Sequence, residues 1–212
     1  MQNRLQLWLS ILLLFVSVRP GATQPVWEPP TELSVRGNHK PTVRRELITS
    51  LRVGEFTVVL EETKLSDAHT HFGGSIGRRG DASDGLAWLC LNGRDDGGSW
   101  ILWLEAGEIH GGTVGAFQLR RVNPSTLVDK RCSVIGSTRR LELVNGIRLG
   151  LSRAQMMKIL GPPTTSAGDT LLYSHERQQA IRGQVATATD RLTIRFRDTV
   201  LDAVDMWKMT VF

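Results

Sequence analysis

The sequence predicts an α+β protein of two tandem modules, each a short helix packed on a small antiparallel sheet. Three observations carry this. Short β-branched and aromatic runs dominate the chain from Phe56 onward, as strands do. Their connections are too short for helical crossovers, which makes the sheets antiparallel. Two short helical segments, one in each half, both open on a hydroxyl residue and close on a glycine.

Taken in order, residues 1–23 read as a secretory leader. Arg4 supplies a positive start, and Leu5 to Val18 is an apolar run of 14 residues, followed by Pro20-Gly21 and the small Ala22-Thr23. A membrane span needs about 20 apolar residues, so stable insertion after cleavage is not expected. Residues 24–46 hold Pro25, Pro29, Pro30 and Pro41 without periodicity and read as a stiff proline-rich linker. The first module then covers 47–131 and the second 132–212. Thr63 to Phe72 is the first helix, ending at Gly73. Ser152 to Leu160 is the second, ending at Gly161, with Pro162-Pro163 forbidding continuation. The strand runs are Phe56–Leu60, Leu86–Leu91, Trp100–Leu104, Val114–Arg121, Arg140–Val144, Thr170–Ser174, Leu192–Arg197 and Leu201–Phe212. Hydroxyl cap, helix, glycine, irregular loop and strands recur in both halves, the pattern of an internal duplication.

In the second half, Gly150-Leu151-Ser152-Arg153-Ala154-Gln155-Met156, Ile159-Leu160-Gly161-Pro162-Pro163, Leu172-Tyr173, Leu192-Thr193-Ile194-Arg195-Phe196 and Leu201-Asp202-Ala203-Val204 follow one another. This succession resembles the SmpA/OmlA (BamE-like) pattern over residues 145–209. Two such modules in an exported chain resemble the β-lactamase inhibitory protein family. The resemblance implies short helices on antiparallel sheet, no cofactor and a role in binding another protein, as an inhibitor or an envelope assembly factor. Repeat 1 departs from it, reading Phe72-Gly73-Gly74-Ser75 where the pattern has Gly-Pro-Pro.

Charge excludes one class of partner. There are 26 Lys+Arg against 21 Asp+Glu, and without Arg4 and Arg19 of the leader the net charge is +3. The basic residues are scattered doublets and form no stripe with stacking aromatics, so nucleic acid is not an expected partner. Export makes the protein periplasmic or secreted. In an oxidising compartment the two cysteines, Cys90 and Cys132, are candidates to pair across a loop of about 40 residues, worth roughly 3–4 kcal/mol. The alternative is a buried free thiol at Cys90, inside the apolar run Leu86–Leu91.

No motif makes a strong case for catalysis or metal. Gly73-Gly74-Ser75-Ile76-Gly77 matches G-x-S-x-G, but a nucleophile elbow needs a strand before the serine and a helix after it. His69 and His71, two apart on a helix, diverge, and with Glu108 and His110 they make a poor zinc set. Asp81-Ala82-Ser83-Asp84-Gly85 lacks calcium-loop spacing, and Asn123-Pro124-Ser125 is blocked from glycosylation by its proline. The chain therefore reads as a non-enzymatic protein, with a small periplasmic hydrolase as the alternative.

The binding residues come from strand patterns. Leu192, Ile194 and Phe196 alternate with Thr193, Arg195 and Arg197, so the first three face a core and the last three face water. Leu86–Leu91 and Trp100–Leu104 are apolar on both faces. Either each is a central strand covered twice, or one face is kept for a partner. Alternation puts Trp100 and Trp103 on opposite faces, so one at most is an anchor. Trp103 is the choice, with Arg195 and Arg197 flanking it as hot-spot residue types do.

Overall fold

The computed structural model describes residues 25–35, 40–41, 47, 49–81, 85–107, 110–136, 140–143, 146–181 and 183–212. The expected leader lies outside them, as does part of the expected linker. The elements are β1 (Ser50–Val53), β2 (Phe56–Val59), α1 (Leu65–Phe72), β3 (Ile76–Arg79), β4 (Leu86–Asp95), β5 (Gly98–Gly107), β6 (Ala116–Val122), β7 (Ser133–Val134), β8 (Leu141–Leu143), α2 (Arg153–Leu160), β9 (Thr165–Ala167), β10 (Thr170–Ile181), β11 (Gln184–Arg197) and β12 (Val200–Val211).

The two-module α+β expectation is overturned. The strands form one nine-stranded sheet in the order β3-β4-β5-β6-β12-β11-β10-β9, with β7 beside β4, and a separate three-stranded sheet β2-β1-β8. The seam is the antiparallel pairing of β6 with β12, where Leu119 faces Val204 and Gln118 faces Asp205. Separate modules would leave β6 and β12 as long open edges with unpaired backbone groups. Joining them satisfies those groups and lets one core run through both halves. Leu89, Leu102, Phe117 and Leu119 pack in the same cluster as Leu171, Tyr173, Leu192, Ile194 and Val204. The antiparallel expectation holds, except that β7 runs parallel to β4.

Strand alternation sorts the sheet into two faces. In β5, Trp100, Leu102 and Leu104 enter the main core, together with Leu65 and Ala68 of α1, Met156 of α2 and the three-stranded sheet. Ile101 and Trp103 enter a second cluster with Trp27, Trp88, Cys90 and Cys132 on the outer face. Two large rings fit because glycines lie across from them. A Cβ on Gly77 would come within 2.1 Å of the Trp88 ring, and one on Gly93 within 2.5 Å of Trp100. The chain passes from β4 to β5 in a tight hairpin. Asp95 pairs with Gly98 around Asp96-Gly97, an Asp-Gly turn of the two-residue kind.

The helices differ in how they start. Ser152 caps α2 in a full capping box, its Oγ accepting from the Gln155 amide while Gln155 Oε1 accepts from the Ser152 amide. In α1 the N-cap is Lys64, with no side-chain cap, and Thr63 Oγ1 accepts from Val59 N at 2.9 Å instead.

Candidate functional site

The outer face is organised by one row of residues paired directly across neighbouring strands: Cys90, Trp103, Gln118, Asp205, Thr193 and Leu172. Cys90 and Cys132 are joined in a disulfide with Cα atoms 4.6 Å apart. The bridge ties the segment around Asp129 to Cys132 onto β4. That segment receives the start of a strap, residues 25–35, which the sequence suggested to be a linker. Val26 N donates to Leu127 O at 2.9 Å, and Asp129 N to Val26 O at 3.1 Å.

From there the strap crosses the row. Trp27 packs 5.8 Å from the Trp88 ring, and the Arg131 guanidinium lies 4.4 Å over its own ring. Asp129 fixes that arginine with two bonds of 2.9 Å, and the same bonds hold its carboxyl down at about 2. Trp103 Nε1 donates to the Trp27 carbonyl at 3.0 Å. Gln118 Nε2 donates to the Pro30 carbonyl at 3.1 Å. Leu33 N donates to Asp205 Oδ2 at 2.5 Å. Arg120, two residues along from Gln118 on the same strand face, sets this geometry. It pairs with Asp205 and donates to Gln118 Oε1 at 2.8 Å, which turns the amide nitrogen toward the strap.

Glu105 lies on the same face, 5% exposed, and its Oε1 has no hydrogen-bond partner among the described residues. Burial pushes its carboxyl up to about 7, and the charge of Glu32 on the strap adds to the effect, while Gln118 and Arg79 oppose it. Beyond Leu33 the strap borders a cleft of about 230 Å³ lined by Val35, Leu172, Arg191, Thr193 and Trp207.

Past the cleft no described residue covers the outer face. Arg191 pairs across from Trp207, Thr189 from Met209 and Thr187 from Val211. Arg191 is exposed, Trp207 and Met209 are partly so, and Val185, Val211 and Phe212 are more than half exposed. The alternating Lys208 and Thr210 point the other way, to Glu61: Lys208 Nζ lies 3.5 Å from Glu61 Oε2, and Thr210 Oγ1 donates to it at 2.7 Å. On that inner side Asp190 is buried against His175 and Arg177.

The expected partner-binding residues are placed differently from the sequence reading. Trp100 and Trp103 do face opposite ways, but both are covered, at 1% and 2% exposure. Trp100 is core. Trp103 is shut under the strap, so the face kept for a partner is taken by the chain itself. Thr193, expected in water, is 4% exposed and lines the cleft beside the strap. Arg195 and Arg197 share Asp202, at 2.9 and 3.3 Å. The register of β12 shifts there, and Asp202 is the extra residue of the bulge. Arg195 shares the face of Trp103 but stands three strands away, roughly 14 Å. The structure does not bring them together.

The catalytic and metal motifs do not assemble. Ser75 follows a helix and precedes β3, the reverse of an elbow, and its amide donates to Arg131 O at 3.0 Å. His71 stacks on Phe56 at 4.6 Å, and His69 Nε2 lies 3.3 Å from Gly74 O. Among the described residues no His/Cys/Asp/Glu group is gathered to hold a metal. Glu108 and residues 82–84 of the calcium-like loop lie outside them. No described helix is long and apolar enough to cross a membrane. Sequence reading missed the strap, Gln118, Arg120, Glu105 and Asp205. The one signal was a polar residue set among apolar ones, such as Glu105 in β5, which needs a known partner to interpret. Comparison with protein-family models, curated proteins and solved structures gives no match.

Proposed function

We propose that this is an exported protein that binds another protein, through the part of the outer face around Trp207 and Arg191. The leader-like start and the disulfide support residence in the periplasm or outside the cell. The observation that carries the binding reading is the stripe Trp207–Met209–Val211, with Val185 and Phe212 beside it and Arg191 directly across from the indole. A contiguous apolar strip of this kind on a sheet face marks an interaction surface. Tryptophan, methionine and arginine are the types enriched there. A role as inhibitor or envelope assembly factor is what the resemblance of residues 145–209 to the SmpA/OmlA pattern adds.

The test is site-specific photo-crosslinking in the producing cell's envelope and medium. A photoreactive residue at Met209 or Arg191 should give one discrete adduct, and one at Glu142, on the three-stranded sheet, should not. Trp207→Ala should abolish the Arg191-position adduct while the protein keeps its fold by circular dichroism. Equal adducts from all three positions, or none from any, would reject the assignment.

A further inference from the structure

The strap touches the sheet with a period of three. Trp27 O, Pro30 O and Leu33 N are the main-chain atoms bound by Trp103, Gln118 and Asp205. Three residues per turn is the repeat of a polyproline II helix, whose backbone has no internal hydrogen bonds and offers its groups outward. Recognition of such segments works through aromatic-lined grooves. Here Trp88 and Trp103 supply the aromatic floor, and side-chain N–H groups, one of them aimed by Arg120, supply the donors. The sheet thus holds the backbone of a proline-bearing segment at three points, while Trp27 packs its side chain on Trp88.

The strap is also a poor electrostatic occupant. Beneath it Glu105 Oε1 is buried without a partner, although native structures pair most buried polar atoms. The strap further sets the carboxylate of Glu32 close enough to raise the Glu105 carboxyl. The charged groups around Glu105 are Glu32 on the strap, Arg79 on β3 and Asp205 on β12. Arg120 on β6 is already bound to Asp205 and Gln118.

We propose that the row Trp103–Gln118–Asp205 is a recognition groove for an extended, proline-bearing segment of another protein with a basic residue opposite Glu105, and that the strap holds the groove in cis until displaced. The basic side chain would donate to the orphaned Glu105 oxygen in a charge-assisted bond. The carbonyls of the incoming segment would take the Trp103 and Gln118 donors that Trp27 and Pro30 now use. Tethering gives the strap a high effective concentration, so displacement requires a partner with better local chemistry. The groove adjoins the Trp207 surface across the cleft that Gln118, Asp205, Arg191 and Trp207 line, but this inference does not rest on that surface.

The test uses the full chain and two fluorescent synthetic peptides. One carries the sequence of residues 25–33, and the other differs only by Glu32→Lys. At about pH 8, where Glu105 is ionised, the lysine peptide should bind about tenfold more tightly by anisotropy, the gain from one charge-assisted bond. In the Glu105→Gln protein the two peptides should bind alike. Hydrogen exchange of amides 26–33 in the unmodified protein should quicken when the lysine peptide is present at ~1 mM. Leu33→Pro, which removes one strap anchor and leaves the groove intact, should raise affinity for the lysine peptide further. Equal affinity of the two peptides for the unmodified protein would overturn the proposal. So would unchanged exchange of the strap, or dimers by light scattering without peptide binding, which would mean strap exchange between copies. Loss of the Trp207-dependent adduct has no bearing on any of these readouts.

Discussion

Glu105 lies beneath the strap in an environment that favours its acid form, and its ionisation is therefore linked to folding. Its carboxyl is pushed from an ordinary 4.5 to about 7 in the folded protein. The folded state thus holds the proton more tightly. Its contribution is fully present below the ordinary value and is lost as pH rises through the folded one, by ~3 kcal/mol. Glu105→Gln should flatten this slope and leave the protein about 1–3 kcal/mol more stable than wild type near pH 8. Urea unfolding at the two ends of the window measures it. Asp190 is also raised, chiefly by burial, but it is unchanged in the variant, so the difference between the two proteins isolates Glu105. Trp103 belongs to the same face. Trp103→Ala should cost about 3–5 kcal/mol, as truncations of buried aromatics do. Trp103→Phe keeps most of the packing and loses only the bond to Trp27 O, so it should cost about 1–2 kcal/mol. Alternation alone set Trp100 and Trp103 on opposite faces. It did not reveal that the chain's own strap covers Trp103, because the pattern within a strand is silent about what lies above it.

Helix caps and turns are local, and the sequence read them unevenly. Ser152 and Gln155 form the capping box that the spacing suggests, so Ser152→Ala should cost about 1 kcal/mol. Thr63 has the right residue type at the wrong place. Its hydroxyl bonds to Val59 N, and Thr63→Ala should leave α1 intact by hydrogen exchange while loosening the turn after β2. The disulfide acts at this scale too. It closes a separation of 42 residues and anchors the segment on which the strap begins. Replacing both cysteines with alanine should cost roughly 3–4 kcal/mol. Hydrogen exchange should show Val26 to Leu33 losing protection before the β10–β11–β12 strands do. Equal protection of the strap in that variant would mean that the outer face holds it without the bridge.

The seam between β6 and β12 makes the molecule one cooperative body. Residues 132–212 alone would bare the β12 edge and expose Tyr173, Leu192 and Ile194, which are fully buried in the intact core. Such a fragment should show no near-ultraviolet circular dichroism, and the whole chain should unfold in a single urea transition. Two transitions, or a folded fragment, would restore the picture of two modules.

The sequence by itself determined what depends on neighbours along the chain. It set most strand runs, the antiparallel hairpins, the α2 cap, the inward Leu192, Ile194 and Phe196, and the pairing-ready cysteines. The tertiary structure decided what depends on which edge meets which. The β6–β12 seam merged two expected sheets, the strap occupied a face that looked free for a partner, and Asp202 drew Arg195 and Arg197 into ion pairs. The physical reason is that strand propensity and period fix a residue's face but not its partner. Edge pairing and face covering join segments far apart in the chain. Their gain comes from satisfying backbone groups and burying apolar area in the assembled fold.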